Sequence, residues 1–81
     1  MLKLEVHTKL SHQEAIERLK SFFGKGGLGL EIKDEASQCL NFEGGGGFVT
    51  ATVCPGEGNT RIDLETQEWE YQVKKFSSSL P

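Results

Sequence analysis

The residues with chemical potential are few. The chain carries two thiols, Cys39 and Cys54, two imidazoles, His7 and His12, and twelve carboxylates scattered along its 81 residues. A zinc site draws thiolates and imidazoles from close sequence pairs, and the long interval from Cys39 to Cys54 offers none. Two cysteines are also too few for the disulfide framework of a small secreted domain. They read as reduced thiols on a strand pair; a cross-strand disulfide or redox pair requires the two to face each other, which depends on the turn between them. His7 falls on the wet side of a strand and His12 at the start of a helix, and neither has an evident neighbour to orient it. No nucleophile, base and orienting group can be assembled. The expectation is therefore a non-enzymatic protein with no catalytic residues, no metal and no cofactor.

Gly24-Lys25-Gly26-Gly27-Leu28-Gly29 spells G-x-G-x-x-G, a pattern associated with nucleotide phosphates. Its context is wrong for that role. A dinucleotide loop follows a strand and opens a helix, whose first amides hold the pyrophosphate. Here the glycines follow a helix and lead into a strand, so phosphate would meet the carbonyl end of the helix dipole. A linker is the reading that remains.

These residues are positioned by elements with clear periodicities. Leu2, Leu4, Val6, Thr8 and Leu10 alternate with Lys3, Glu5, His7 and Lys9, the pattern of a strand with one face buried. Ser11-His12-Gln13-Glu14 is a capping box. It opens a helix to Phe23 with an apolar stripe of Ala15, Ile16, Leu19, Phe22 and Phe23, and Gly24 is placed to end it in the left-handed conformation. Leu28, Leu30 and Ile32 mark a second strand, and Asp34 to Ser37 a turn.

Cys39 to Cys54 is the centre of the pattern: two alternating runs around Gly44 to Gly47, which predict a hairpin. A two-residue turn at Gly46-Gly47 puts Leu40 opposite Val53 and Cys39 opposite Cys54. A four-residue turn at Gly44 to Gly47 shifts the register by two. Both keep Leu40, Phe42, Val49, Ala51 and Val53 on one face. Phe48 falls by parity on the polar face, unless a bulge at the glycines turns it inward. After a turn at Pro55 to Asn59, Ile62, Leu64 and Thr66 mark a fifth strand. Gln67 to Leu80 then reads as a helix with Trp69, Val73, Phe76 and Leu80 on its buried stripe. Glu68 and Glu70 fall in its first turn, and Ser77 to Ser79 at a frayed end.

A chain of this length has material for one core, so residues 1–81 are expected to form a single domain. The net charge of −3, with basic residues scattered among acids, argues against a nucleic-acid partner. No apolar run approaches a membrane span, and the alternating first ten residues do not read as a signal peptide. A cytoplasmic, soluble protein is expected.

The fold class expected is α+β, in the order β-α-β-β-β-β-α, with a five-stranded antiparallel sheet of order 2-3-4-5-1 and both helices on one face. This arrangement resembles a shortened helix-grip fold, that of the START-like and polyketide-cyclase-like superfamily. It is also similar to short uncharacterised bacterial proteins with Leu40-Asn41-Phe42-Glu43 before the glycines and Trp69-Glu70-Tyr71-Gln72-Val73 in the last helix. The resemblance implies a curved sheet around the C-terminal helix. In larger members an apolar ligand such as a lipid lies between the two.

Two functions follow as expectations. The first is binding of a small apolar or lipid-like ligand between the C-terminal helix and the sheet, with Phe42, Trp69, Val73 and Phe76 as the ligand-binding residues. A dry cavity of ~300 Å³ would cost roughly 7 kcal/mol at ~24 cal/mol per Å³. Total stability for this length is about 4–12 kcal/mol. Such a site is therefore shallow, wet or completed by a partner. The alternative is a homodimer or protein-interaction module with no small ligand, in which Phe48 is an exposed aromatic awaiting a partner.

Overall fold

The computed structural model describes residues 1–36 and 38–81. Seven elements succeed one another: β1 (Leu2–Thr8), α1 (His12–Phe23), β2 (Glu31–Glu35), β3 (Cys39–Gly44), β4 (Gly47–Pro55), β5 (Thr60–Gln67) and α2 (Glu70–Ser79). The five strands form one antiparallel sheet in the order β1-β5-β4-β3-β2, which is the expected 2-3-4-5-1 arrangement read from the other edge.

Local chemistry fixes the first helix. The Glu14 amide donates to Ser11 Oγ at 3.2 Å and the Ser11 amide donates to Glu14 Oε1 at 3.0 Å, completing the capping box. Gly24 ends the helix, but in an extended conformation (φ −88°, ψ −157°) instead of the left-handed one. Its amide donates to the Lys20 carbonyl, and a Cβ would lie 2.6 Å from that oxygen. The helix is closed from further along the chain. The Leu28 amide donates to the Phe22 carbonyl and the Leu30 amide to the Phe23 carbonyl, both at 2.9 Å, while the Gly27 and Gly29 amides return to Gly24. Those four amides are committed to carbonyls of the helix end and of Gly24, so the glycine segment is a helix-terminating wrap at the carbonyl end of the dipole, where a phosphate is disfavoured.

The hairpin resolves the register. Gly44 pairs with Gly47, Phe42 with Val49 and Leu40 with Ala51. This is the register of the four-residue alternative, with the ladder extended by one pair to leave a two-residue turn. Gly45 (φ 59°) and Gly46 (φ 83°) supply the positive φ angles such a turn demands. Cys39 consequently faces Thr52 and not Cys54, and both cysteines are free and half-buried. No bulge intervenes, so Phe48 stays on the polar face opposite Glu43 and Gln67.

Four boundaries differ from the periodicity reading. β1 stops at Thr8, leaving Leu10 outside the ladder. β2 starts at Glu31, so Leu28 is in the glycine wrap and exposed. It runs on to Glu35 through a register shift between Ile32 and Asp34, which takes up half of the expected Asp34–Ser37 turn; Ser37 lies outside the described residues. At the C-terminus, Gln67 still pairs with Phe48 in the sheet, and Glu68 turns the chain with a positive φ of 76°. The helix therefore begins at Glu70, with Trp69 as its N-cap and Glu68 outside its first turn. Its far end is bonded instead of frayed. The Ser77, Ser78 and Ser79 hydroxyls donate to the carbonyls of Val73, Lys74 and Phe76, and the Pro81 carbonyl accepts from Thr8 Oγ1.

Both helices cover the same side of the sheet. Ala15, Ile16, Leu19 and Phe23 of α1 and Val73 and Phe76 of α2 join Leu40, Phe42, Val49, Ala51, Val53, Ile62 and Leu64 in one buried cluster. The Phe23 ring is 5.3 Å from Phe76 and 5.6 Å from Phe42, centroid to centroid, which links the two helices to the hairpin. Polar groups within this layer are satisfied: Thr66 Oγ1 donates to the Phe48 carbonyl at 2.6 Å and Thr60 Oγ1 to the Leu10 carbonyl at 2.7 Å. Among the described residues no helix is long and apolar enough to cross a membrane.

Candidate functional site

The four residues expected to line a groove are brought together, but as packing. Phe42 and Val73 are fully buried and Phe76 is 1% exposed. Trp69 is half-buried with a specific task. Its Nε1 donates to the Gly44 carbonyl at 2.9 Å, and its ring edge lies where a Cβ on Gly45 would be, 2.8 Å from Cζ2. Trp69 thus clamps the hairpin turn from the helix side. The recess nearest this layer holds about 180 Å³ between α1 and α2, lined by Arg18, Ser21, Phe22, Phe76 and Ser79. That is below the ~300 Å³ at which small-molecule pockets begin.

The larger concavities lie on the opposite, solvent-facing side of the sheet. One of about 730 Å³ runs over β2, β3 and β4, with Glu31, Lys33, Asn41, Glu43, Phe48 and Gln67 among its walls. A second of about 370 Å³ lies over β1, β5 and β4, between Lys3, Glu5, Thr52, Asp63 and Glu65. Thr50 belongs to both and joins them at the middle of the sheet.

Strand pairing explains the composition of this trough. Phe48 has Glu43 on one side and Gln67 on the other; Thr50 has Asn41 and Glu65. Thr50 Oγ1 donates to Asn41 Oδ1 at 2.9 Å, which leaves the Asn41 amide nitrogen to donate elsewhere. Two of the cations on this face are already engaged, Lys33 with Glu31 at 3.4 Å and Arg61 with Asp63 at 3.3 Å. Arg61 Nη2 also approaches Cys54 Sγ at 3.4 Å, and this contact, followed by the charge of Asp63, raises the guanidinium pKa further above its ordinary value. Among the described residues Glu43 and Glu65, one in each half of the trough, make no ion pair. The floor therefore combines one aromatic ring, an amide donor and two carboxylates outside any close ion pair, with Lys3 opposite Glu65 on the neighbouring strand.

The remaining residues with chemical potential stay apart. His7 is exposed, its Nε2 3.2 Å from Glu5 Oε2. His12 is the first residue of α1, with its Nε2 buried and unpartnered. Among the described residues no group of three or more His, Cys, Asp or Glu side chains converges as a metal site would require.

Of the trough residues, only Phe48 was singled out by pattern. Alternation puts Asn41, Glu43, Thr50, Glu65 and Gln67 on one face, but which outward side chains border a recess depends on how they pack against one another, and that has no signature in a single sequence. The chain matches no known protein-family model and none of the curated proteins.

Proposed function

We propose that this protein is a non-enzymatic interaction module. In this reading the outer face of its sheet receives a cationic segment of a partner protein that also carries an apolar side chain. The observation that carries this is the continuous trough through Thr50, with Phe48 as its aromatic contact and with Glu43 and Glu65 making no close ion pair among the described residues. Aromatic side chains dominate the energetics of such surfaces, and the complementary charge steers the encounter. The chain's net charge of −3 favours the same class of partner.

The fold-level likeness to the helix-grip superfamily is part of this proposal, supported by the element order and by Val73 and Phe76 of α2 joining the buried cluster on the sheet. A small apolar ligand is the second reading. It is favoured by the half-buried Phe22 ring beside Phe76 at the interhelical recess, 5.3 Å between centroids. Free thiols on the sheet fit a reducing compartment, the cytoplasm.

The test uses the single tryptophan. Trp69 bonds Gly44, which also lines the trough, so occupancy there should change its emission. Titration with Lys- and Arg-rich peptides bearing one Leu or Phe should give a saturable, salt-sensitive change that is weakened in Phe48→Ala. Acidic peptides should give none. Equal responses to both, or a response indifferent to Phe48, would exclude this surface; stabilisation by fatty acids alone would transfer the function to the helix side.

A further inference from the structure

The two edges of the sheet are built differently. β2 is short and interrupted by a register shift between Ile32 and Asp34. Its outer end is tied to α1 by Lys20 and Glu35 at 2.6 Å. Irregularity, brevity and charge are the devices that keep an edge strand from pairing with another chain. β1 has none of the first two. It spans Leu2–Thr8 and pairs with β5 through seven consecutive residues without a shift, Leu2 with Thr66 through to Thr8 with Thr60. Its inward residues Leu2, Leu4 and Val6 stay half-exposed, while Leu64 and Ile62, opposite Leu4 and Val6, are 2% and 0% exposed.

The sequence of β1 is self-complementary in one antiparallel register. Same-face pairing of β1 with a second β1 requires a two-fold axis through a residue. An axis at Glu5 sets Glu5 against its own copy. An axis at Val6 sets Glu5 against His7, a weaker partner than lysine, and beyond the end of β1 brings Lys3 toward Lys9. An axis at Leu4 sets Lys3 against Glu5 and Glu5 against Lys3, with Leu2 facing Val6 and Leu4 facing Leu4. Opposite charges directly across a strand pair stabilise it and like charges oppose it, so the third register is selected. It also answers a conflict inside one chain. Glu5 lies directly opposite Asp63 within the sheet, and a second copy would place a lysine on the other side of Glu5.

From this geometry we infer that β1 is a homodimer seam: two copies join edge to edge about Leu4 into one ten-stranded sheet. The two-fold axis is perpendicular to that sheet, so all four helices lie on one side and both troughs on the other. The seam shares Lys3 and Glu5 with one half of the trough, but sedimentation reads association of the chain with itself and peptide titration reads the trough, so the two readings fail separately. An interface made of one strand pair is at the small end for stable complexes, and a concentration-dependent dimer is expected.

Sedimentation velocity over a concentration series tests it. The wild type should pass from monomer to dimer with rising concentration, and more weakly as salt increases. Glu5→Lys sets lysines against lysines across the seam and should be monomeric, yet it relieves the Glu5–Asp63 pair within the chain and should melt at or above the wild-type temperature. Lys3→Glu should likewise be monomeric. An equimolar mixture of the two variants should form a heterodimer, because every seam pair is then opposite in charge. The double variant Lys3→Glu/Glu5→Lys should dimerise alone, and it serves in place of Lys3→Glu if that variant does not fold. A wild type that stays monomeric up to millimolar concentration would overturn the seam. So would a dimer untouched by Glu5→Lys, or failure of both the mixture and the double variant to associate.

Discussion

Replacing Gly45 by alanine tests the contact between the C-terminal helix and the central hairpin. Gly45 has φ 59°, and an added Cβ would lie 2.8 Å from Trp69 Cζ2, whereas Gly46 has φ 83° and nothing within 4 Å of the same position. Both substitutions force alanine into the left-handed region at about 1 kcal/mol. Only Gly45→Ala also drives a methyl into a ring held by its bond to the Gly44 carbonyl, an overpacking cost of about 1–3 kcal/mol. Gly45→Ala should therefore destabilise by about 2–4 kcal/mol and Gly46→Ala by about 1. At ~4–8 °C per kcal/mol, their melting temperatures should differ by at least ~4 °C. Urea denaturation followed by far-UV circular dichroism measures both. In a Trp69→Leu background the excess cost of Gly45→Ala should largely vanish, giving a coupling of about 1 kcal/mol or more in the double-mutant cycle. Equal costs at the two glycines, or zero coupling, would refute the clamp.

Phe42→Ala should cost about 3–5 kcal/mol by opening a cavity in the layer shared by both helices, while Tyr71→Ala, at a side chain 71% exposed, should stay within about 0.5 kcal/mol in the same denaturation assay. Ser11→Ala should cost about 1 kcal/mol through loss of the helix cap. The Glu14 carboxyl is held below its ordinary pKa by its bonds to the Ser11 amide and then to the Ser11 hydroxyl. Its contribution is therefore complete above the unfolded-state carboxylate pKa of ~4.3 and is lost as pH falls through the lower folded value. Glu14→Gln should flatten this part of an acid titration of stability, and an unchanged acid limb would contradict the capping role.

The fold was legible because its signals were local and agreed. Ser11 to Glu14 names a helix start, alternation from Leu2 to Leu10, from Leu40 to Phe42 and from Val49 to Val53 names half-buried strands, and short turns leave few topologies for connecting them. The glycine register was not legible, since both turns keep the same faces and the choice depends on Trp69 and Gln67 packing against the hairpin from elsewhere in the chain. The start of α2 was misread for a related reason. Gln67, Glu68 and Trp69 continue a helical pattern, but the ladder to Phe48 and the indole bond to Gly44 hold them in strand and turn. Phe42 and Phe76 read as inward-facing and are buried, while Phe48 reads as outward by parity and stays on the polar face. Sequence could not separate a groove from a filled core, because that difference lies in packing volumes.

The central claim is that helices close one side of the sheet and leave the other for recognition. Mapping backbone-amide chemical shifts on titration with Lys- and Arg-rich peptides tests it most directly. The account predicts shifts concentrated at Asn41, Glu43, Phe48, Thr50 and Glu65, with Val73 and Phe76 unmoved. Shifts centred on Val73, Phe76 and Phe22, or none anywhere at saturating peptide, would contradict it.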